Sequence, residues 1–178
     1  IAATVENIKA GTYKVSRPFM IVTKGEAAGL KKDFIDFALS KQGQAVVTAN
    51  KFIVAADNAK DYAGTKPSGK LVIGGSSSVS PLMEKLIEAY KQVNPSATLE
   101  LQTTDSTSGV KNATSGTYDI GMASREIKDT EKPGLSEFVL ALDGIAVIVN
   151  KENTVSEITS DSITKIYKGE MTKWSDVK

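Results

Sequence analysis

The stretch KLVIGGSSSVSPLMEKLIEAY, residues 70–90, decides the fold. Residues 70–74 are a short apolar run of strand type, and GSSSVS is a polar loop. Over residues 81–93 the apolar positions Leu82, Leu86, Ile87 and Tyr90 recur at helical spacing. Pro81 suits the first turn of a helix, where its missing N–H costs nothing, and Asn94-Pro95 closes the segment. Onward, residues 98–102 read as a second strand, 103–109 as a Ser/Thr/Gly loop, the residues to Ser115 as a short helix, and 118–122 as a third strand. This β-α-β-α-β alternation predicts parallel strands joined by right-handed crossovers. The expected class is therefore α/β, a three-layer sandwich with a mostly parallel sheet and helices on both faces.

Before this stretch, VSRPFMIVT at residues 15–23 is rich in β-branched and aromatic residues and runs into Lys24-Gly25, so it reads as a strand ending in a turn. Residues 27–41 change to helical spacing. Leu30, Phe34, Phe37 and Ala38 make an apolar face, with Lys31, Lys32, Asp33 and Asp36 largely opposite it. A second short helix is expected over 44–49. Residues 57–69 are polar, carry Gly64, Pro67 and Gly69 and lack an apolar period, the pattern of a linker. After the third strand, FVLALDGIAVIVN at 138–150 predicts two strands or one bent strand, and 159–168 a short helix with Ile163, Ile166 and Tyr167 on one side, ended by Gly169. The expected organisation is one lobe over residues 1–150, built from segments 1–56 and 70–150, followed by a helical tail over 151–178.

Composition narrows the function. The 178 residues carry 22 Lys+Arg against 21 Asp+Glu, a net charge of +1 with no basic cluster, which argues against nucleic acid as partner. The chain has no His and no Cys. The commonest general base, the commonest transition-metal ligand and every disulfide are thereby excluded, and neither an enzyme, a metal nor a cofactor is expected. No run approaches the roughly 20 apolar residues of a membrane span, and the opening IAATVENIKAG shows no basic-then-apolar export signal.

Two polar loops, 74–80 and 103–109, each follow a strand and open a helix. A helix start offers unpaired N–H groups and the positive end of its dipole, and Ser and Thr add hydroxyl donors, so such a loop can hold an oxyanion without a full positive charge. Either loop alone reads as ordinary N-capping. Two of them at the carboxyl ends of one sheet point to one shared anion. Neither matches a nucleotide-binding glycine motif, and no GxSxG elbow accompanies the serines.

LVIGGSSSVSPLMEKLIEAY, LQTTDSTSGVKNATSGTYDIGMASREI and IYKGEMTKWSDV together resemble the phosphate-binding proteins that serve phosphate ABC importers, solute-binding proteins of the type II periplasmic-binding-protein fold. The resemblance covers residues from about Gly69 onward. It implies a phosphate site made by Ser77, Ser78 and Val79 in the first loop, Ser106 and Thr107 in the second, and Ser124 with Arg125 at the third strand's end. Many relatives carry an Asp after that Ser, able to accept a phosphate proton; Arg125 stands there in this chain. A bidentate grip on phosphate by Arg125, or an ion pair with Glu126 or Asp129, are its two readings.

VENIKAGTYKVSRPFMIVTKG and KKDFIDFALSKQGQAVV resemble the C-terminal part of the same proteins, yet they come first. The resemblance thus implies one lobe in permuted order, with residues 57–69 joining what are elsewhere the two chain ends and 151–178 as a hinge-side tail. Deliberate permutation or a cut across a tandem pair would each produce this order. The implied partners are inorganic phosphate and importer membrane subunits, at the cell surface or in a periplasm. A second copy docked across the exposed cleft face is another way to complete the site. The alternative is a permuted scaffold lobe with no significant ligand affinity. Among the remaining residues, Trp174 is expected to pack in the tail, Arg17 to cap a strand or lie at the surface, Asp143-Gly144 to form a turn or hinge crossing, and Glu84, Glu88 and Glu100 to lie on solvated faces.

Overall fold

Strand pairing joins the two segments of the chain. A computed structural model, which describes residues 1–177, contains β1 (Ser16–Lys24), β2 (Ile53–Val54), β3 (Gly69–Ser76), β4 (Ala97–Thr104), β5 (Ile120–Ala123) and β6 (Leu135–Gly144). They form one sheet in the order β2-β6-β1-β5-β3-β4. The parallel pairs are β3 with β4 and β3 with β5, supplied by the β-α-β-α-β segment. β1 pairs antiparallel with β5, and β2 antiparallel with β6, so the sheet is mixed beyond its parallel half. β1 reaches β5 from the other end of the chain, and no crossover helix dictates its direction.

The helices of the described residues are α1 (Val5–Lys9), α2 (Gly29–Leu39), α3 (Lys41–Ala49), α4 (Ser80–Val93), α5 (Ser106–Ser115) and α6 (Ser160–Tyr167). Alternation along β1 separates two cores. Phe19 and Ile21 belong to a large cluster with Phe34 and Phe37 of α2, Val47 of α3, and Leu82, Leu86 and Tyr90 of α4. Met20 and Val22 belong to a smaller cluster with Val110 and Ala113 of α5. Successive strand residues point to opposite faces, so helices cover both sides of the sheet and make three layers.

Residues 57–69 carry no helix and no strand before Gly69, as a linker should, but they are tied down by a residue expected on a solvated face. Asp33 is only 5% exposed. Its carboxylate accepts hydrogen bonds from the Tyr62 hydroxyl at 2.5 Å, the Tyr90 hydroxyl at 2.6 Å, and the N–H groups of Thr65 at 2.7 Å and Lys66 at 3.3 Å. Asp33 precedes Phe37 by four residues, which sets it on the apolar stripe of α2 and under the linker. Asn94, at the end of α4, adds a bond from its side-chain N–H to the Pro67 carbonyl at 2.9 Å.

The structure divides into two compact units, Arg17–Asp143 and a smaller one of Ile1–Ser16 with the residues from Gly144 onward. Within the smaller unit, Tyr13 donates through its hydroxyl to the Ile145 carbonyl at 2.7 Å, and the Ile145 N–H donates to the Val15 carbonyl at 3.0 Å. These bonds tie residues 13–15 to the chain just past Gly144. Thr159 caps α6 through the Ser162 N–H at 3.1 Å, and Gly169, at φ +75°, follows its end. Trp174 opens a single 3-10 turn, is 49% exposed, and lines a small hollow with Ile166 and Met171 of the tail.

Candidate functional site

Register brings three strand ends to one edge. β3 and β4 run in step from Gly69 opposite Ala97 to Ser76 opposite Thr104, and Gly75 lies opposite Met122 of β5. The 74–80 loop, the 103–109 loop and Ser124 therefore leave the sheet side by side at its carboxyl edge, where open α/β sheets bind ligands. Glycines allow α5 to lie directly on this edge. A Cβ on Gly109 would meet the Met122 carbonyl and come within 2.8 Å of the Gly75 Cα, and Gly75 itself has φ +136°. With side chains at both places α5 would be lifted off β3 and β5.

The first loop is a tight turn. The Ser77 N–H donates to the Thr104 carbonyl at 3.2 Å and the Val79 N–H to the Ser76 carbonyl at 3.0 Å. Ser80 is held by bonds to the Ser76 carbonyl at 3.2 Å and from the Thr103 hydroxyl at 2.9 Å. Val79 is fully buried and anchors the turn in the core, and its N–H is already committed to Ser76. Ser77 is exposed and Ser78 half-buried, and among the described residues neither hydroxyl has a protein partner. No side chain caps α4. Its first N–H groups and dipole end, together with two free hydroxyls, thus remain available to a ligand.

The second loop differs. Asp105 caps α5, accepting from the N–H groups of Thr107 at 2.8 Å and Ser108 at 3.0 Å and from the Ser108 hydroxyl at 2.7 Å. The Ser108 hydroxyl and these N–H groups hold the Asp105 carboxyl below its ordinary pKa, so it is ionised at neutral pH. The amide of Thr107 is therefore committed to Asp105, and its side chain is exposed. Ser106 remains half-buried. Its Oγ accepts the Ser124 N–H at 3.1 Å and lies 3.4 Å from the Ser124 Oγ. The structure thus pairs Ser106 with Ser124, the junction of the second loop and the third strand that the sequence singled out.

Arg125 is not free at the edge. Its guanidinium grips Glu131 with both forks, at 2.8 and 2.9 Å, and donates to the Glu126 carbonyl at 3.0 Å. The expected ion-pair partners were Glu126 and Asp129; Glu131 takes that place, and Asp129 pairs with Lys132 at 3.1 Å. The Arg125 bond, against some burial, holds the Glu131 carboxyl below its ordinary pKa. A phosphate contact by Arg125 would have to break this bidentate pair. Arg17 is likewise paired, with Asp143 at 2.9 Å, and its guanidinium lies 5.7 Å above the Phe19 ring. Glu88 and Glu100 are exposed and pair with Lys85 and Lys70, while Glu84 is exposed. No group of three acidic residues able to hold a metal occurs among the described residues.

Comparison with known proteins gives the following. A family profile described as a PBP superfamily domain matches residues 60–178. A phosphate-binding protein named PstS 2 of Streptococcus agalactiae is 52% identical over 177 residues, which is 98% of this chain and 60% of that protein. The crystal structure of a phosphate-binding protein of a phosphate ABC transporter from Streptococcus pneumoniae TIGR4 superposes with a TM-score of 0.94 at 42% identity, covering 100% of this chain and 69% of that one. A phosphate ABC transporter substrate-binding protein from Clostridium perfringens, solved with bound phosphate, is 43% identical over 61% of this chain, with a TM-score of 0.52 and 45% of its own length covered. The chain spans about 60% of the length of the curated relatives that it matches. The streptococcal alignments run through residues 57–69 and the segments on both sides. Natural proteins therefore share this segment order, and neither deliberate permutation nor a cut tandem pair is needed to explain it.

Proposed function

Since the chain belongs to the phosphate-binding proteins of the PBP superfamily, we propose that the carboxyl edge of β3, β4 and β5 binds inorganic phosphate. It does so as one wall of a solute-binding protein that delivers the anion to a phosphate ABC importer outside the cytoplasmic membrane. The observation that carries the reading is the uncapped start of α4, with the unpartnered hydroxyls of Ser77 and Ser78, set at the same edge as the Ser106–Ser124 pair. Hydroxyl and N–H donors of this kind stabilise an oxyanion without a fixed cation. Val79 contributes by anchoring the turn and Thr107 through its hydroxyl, while Arg125 acts through Glu131 by holding the residues after Ser124 in place. The chemistry is binding, with no catalytic step assigned.

One wall leaves part of the anion to water. Calorimetry on the 178-residue chain is expected to give a phosphate dissociation constant of roughly 10 μM or weaker, because enclosure by a second wall is what makes such sites tight. Ser106→Ala removes a donor to a charged ligand and frees the Ser124 N–H, and should weaken binding about tenfold. Submicromolar binding by a monomer would contradict the one-wall reading, and no binding at millimolar phosphate would leave a scaffold without ligand affinity.

A further inference from the structure

The edge proposed to bind phosphate is built from neutral donors, yet an arginine adjoins it. Arg125 follows Ser124, whose N–H and hydroxyl both meet the Ser106 hydroxyl. The Glu131 bond raises the Arg125 pKa, burial lowers it, and the charges of Glu131 and Asp105 raise it again. The guanidinium is thus a full cation that feels the second loop. Its planar fork matches two oxygens of a phosphate as well as it matches a carboxylate. Glu131 occupies that fork, taking both arms at 2.8 and 2.9 Å in a half-buried pair.

Glu131 is itself fixed from the far side. Its Oε2 also accepts the Lys128 N–H at 3.0 Å, and its own N–H donates to the Lys128 carbonyl at 2.7 Å, so the carboxylate is held in a closed turn. The segment has anchors besides the ion pair. Ile127 is only 3% exposed, in the cluster under α5, and the Leu135 N–H donates to the Lys132 carbonyl at 2.9 Å. Breaking the pair therefore frees the guanidinium without releasing the segment. We infer that Glu131 is a positioning residue that sets the affinity of the edge: by holding both arms of Arg125 it keeps this cation off the anion, so that phosphate meets hydroxyl and N–H donors alone. A protein that hands its ligand on benefits, because a bidentate cation would slow release. This assignment rests on the reading of the edge as a phosphate site.

Calorimetric titrations with sodium phosphate at pH 7, at low and at moderate ionic strength, test it on Glu131→Gln and Glu131→Ala, with urea midpoints measured alongside. Glutamine keeps an acceptor for the Lys128 N–H, and alanine removes every hold on the guanidinium. In both variants phosphate binding is expected to tighten about fivefold or more, most at low salt, where the freed cation is least screened. The gain should vanish when Arg125→Gln is added to Glu131→Gln. A brace for the segment has the opposite sign. Weaker or unchanged binding in the folded variants overturns the assignment, and so does a collapse of the urea midpoint in both. A gain that survives the loss of Arg125 overturns it too, being the bare effect of removing a negative charge. If neither the unsubstituted chain nor any variant binds phosphate, the reading of the edge itself fails and takes this assignment with it.

Discussion

Asp33→Ala is expected to destabilise the Arg17–Asp143 unit by about 3–5 kcal/mol, because it strips the buried Tyr90 hydroxyl, the half-buried Tyr62 hydroxyl and the N–H groups of Thr65 and Lys66 of their acceptor at once. Thermal melting of the unit should fall by roughly 10 °C. Asp33→Asn, which keeps one acceptor but turns an N–H toward the tyrosine hydroxyls, should lie between. A loss under about 1 kcal/mol for Asp33→Ala would show that the linker is not held from α2. The pH response has a definite sign. Burial alone would raise the Asp33 pKa, but the bonds from Tyr62, Tyr90, Thr65 and Lys66 outweigh it and hold the carboxyl below its ordinary 3.8. Its contribution is therefore complete above pH 3.8 and is lost as pH falls through the depressed folded value. At the alkaline end, burial and the Asp33 carboxylate push the Tyr90 hydroxyl up from 10.0 to about 12, and raise Tyr62 as well. Stability from Tyr90 is present below pH 10 and is lost as pH rises through about 12.

Gly75→Ala is the second large effect, a loss of about 3 kcal/mol or more. The new Cβ would meet the Met122 carbonyl and stand 2.9 Å from both the Met122 nitrogen and the Gly109 Cα, on a residue whose φ of +136° suits only glycine. Relief requires α5 to move away from β3, which would carry Ser106 off Ser124. Urea unfolding should thus report a lower midpoint, and phosphate binding should weaken further than the fraction unfolded explains. A folded Gly75→Ala protein with unchanged midpoint and unchanged phosphate binding would mean that the contact of α5 with the sheet edge does not position the site.

Much of this was legible in the sequence, and the rest was hidden for definite reasons. The β3-α4-β4-α5-β5 run announced itself by periodicity and by Pro81, and both polar loops fall where strands end. Pairing of β1 with the β5 end of that run is long-range, and nothing local states that it is antiparallel. Asp33 reads as solvated because its acceptor bonds come from Tyr62 and Tyr90, 29 and 57 residues away. Arg125 and Glu131 are six apart across a loop, a spacing that no helical or strand period marks. β2 and α1, of 2 and 5 residues, are too short to raise a periodic signal. The cap made by Asp105 was visible in principle, since Asp before Ser-Thr-Ser at a helix start is a strong N-cap signature, and it would have shown that this loop closes its own amides.

On the function proposed above, the three strand ends form one phosphate-binding wall. An amide NMR titration of the unsubstituted chain with inorganic phosphate, at pH 7 and constant ionic strength, tests it most directly. Saturable shifts that share one dissociation constant are expected at Ser77, Ser78, Ser106 and Ser124, with residues of α3 and α6 unmoved. Shifts absent from these four amides, or centred elsewhere on the chain, would contradict it.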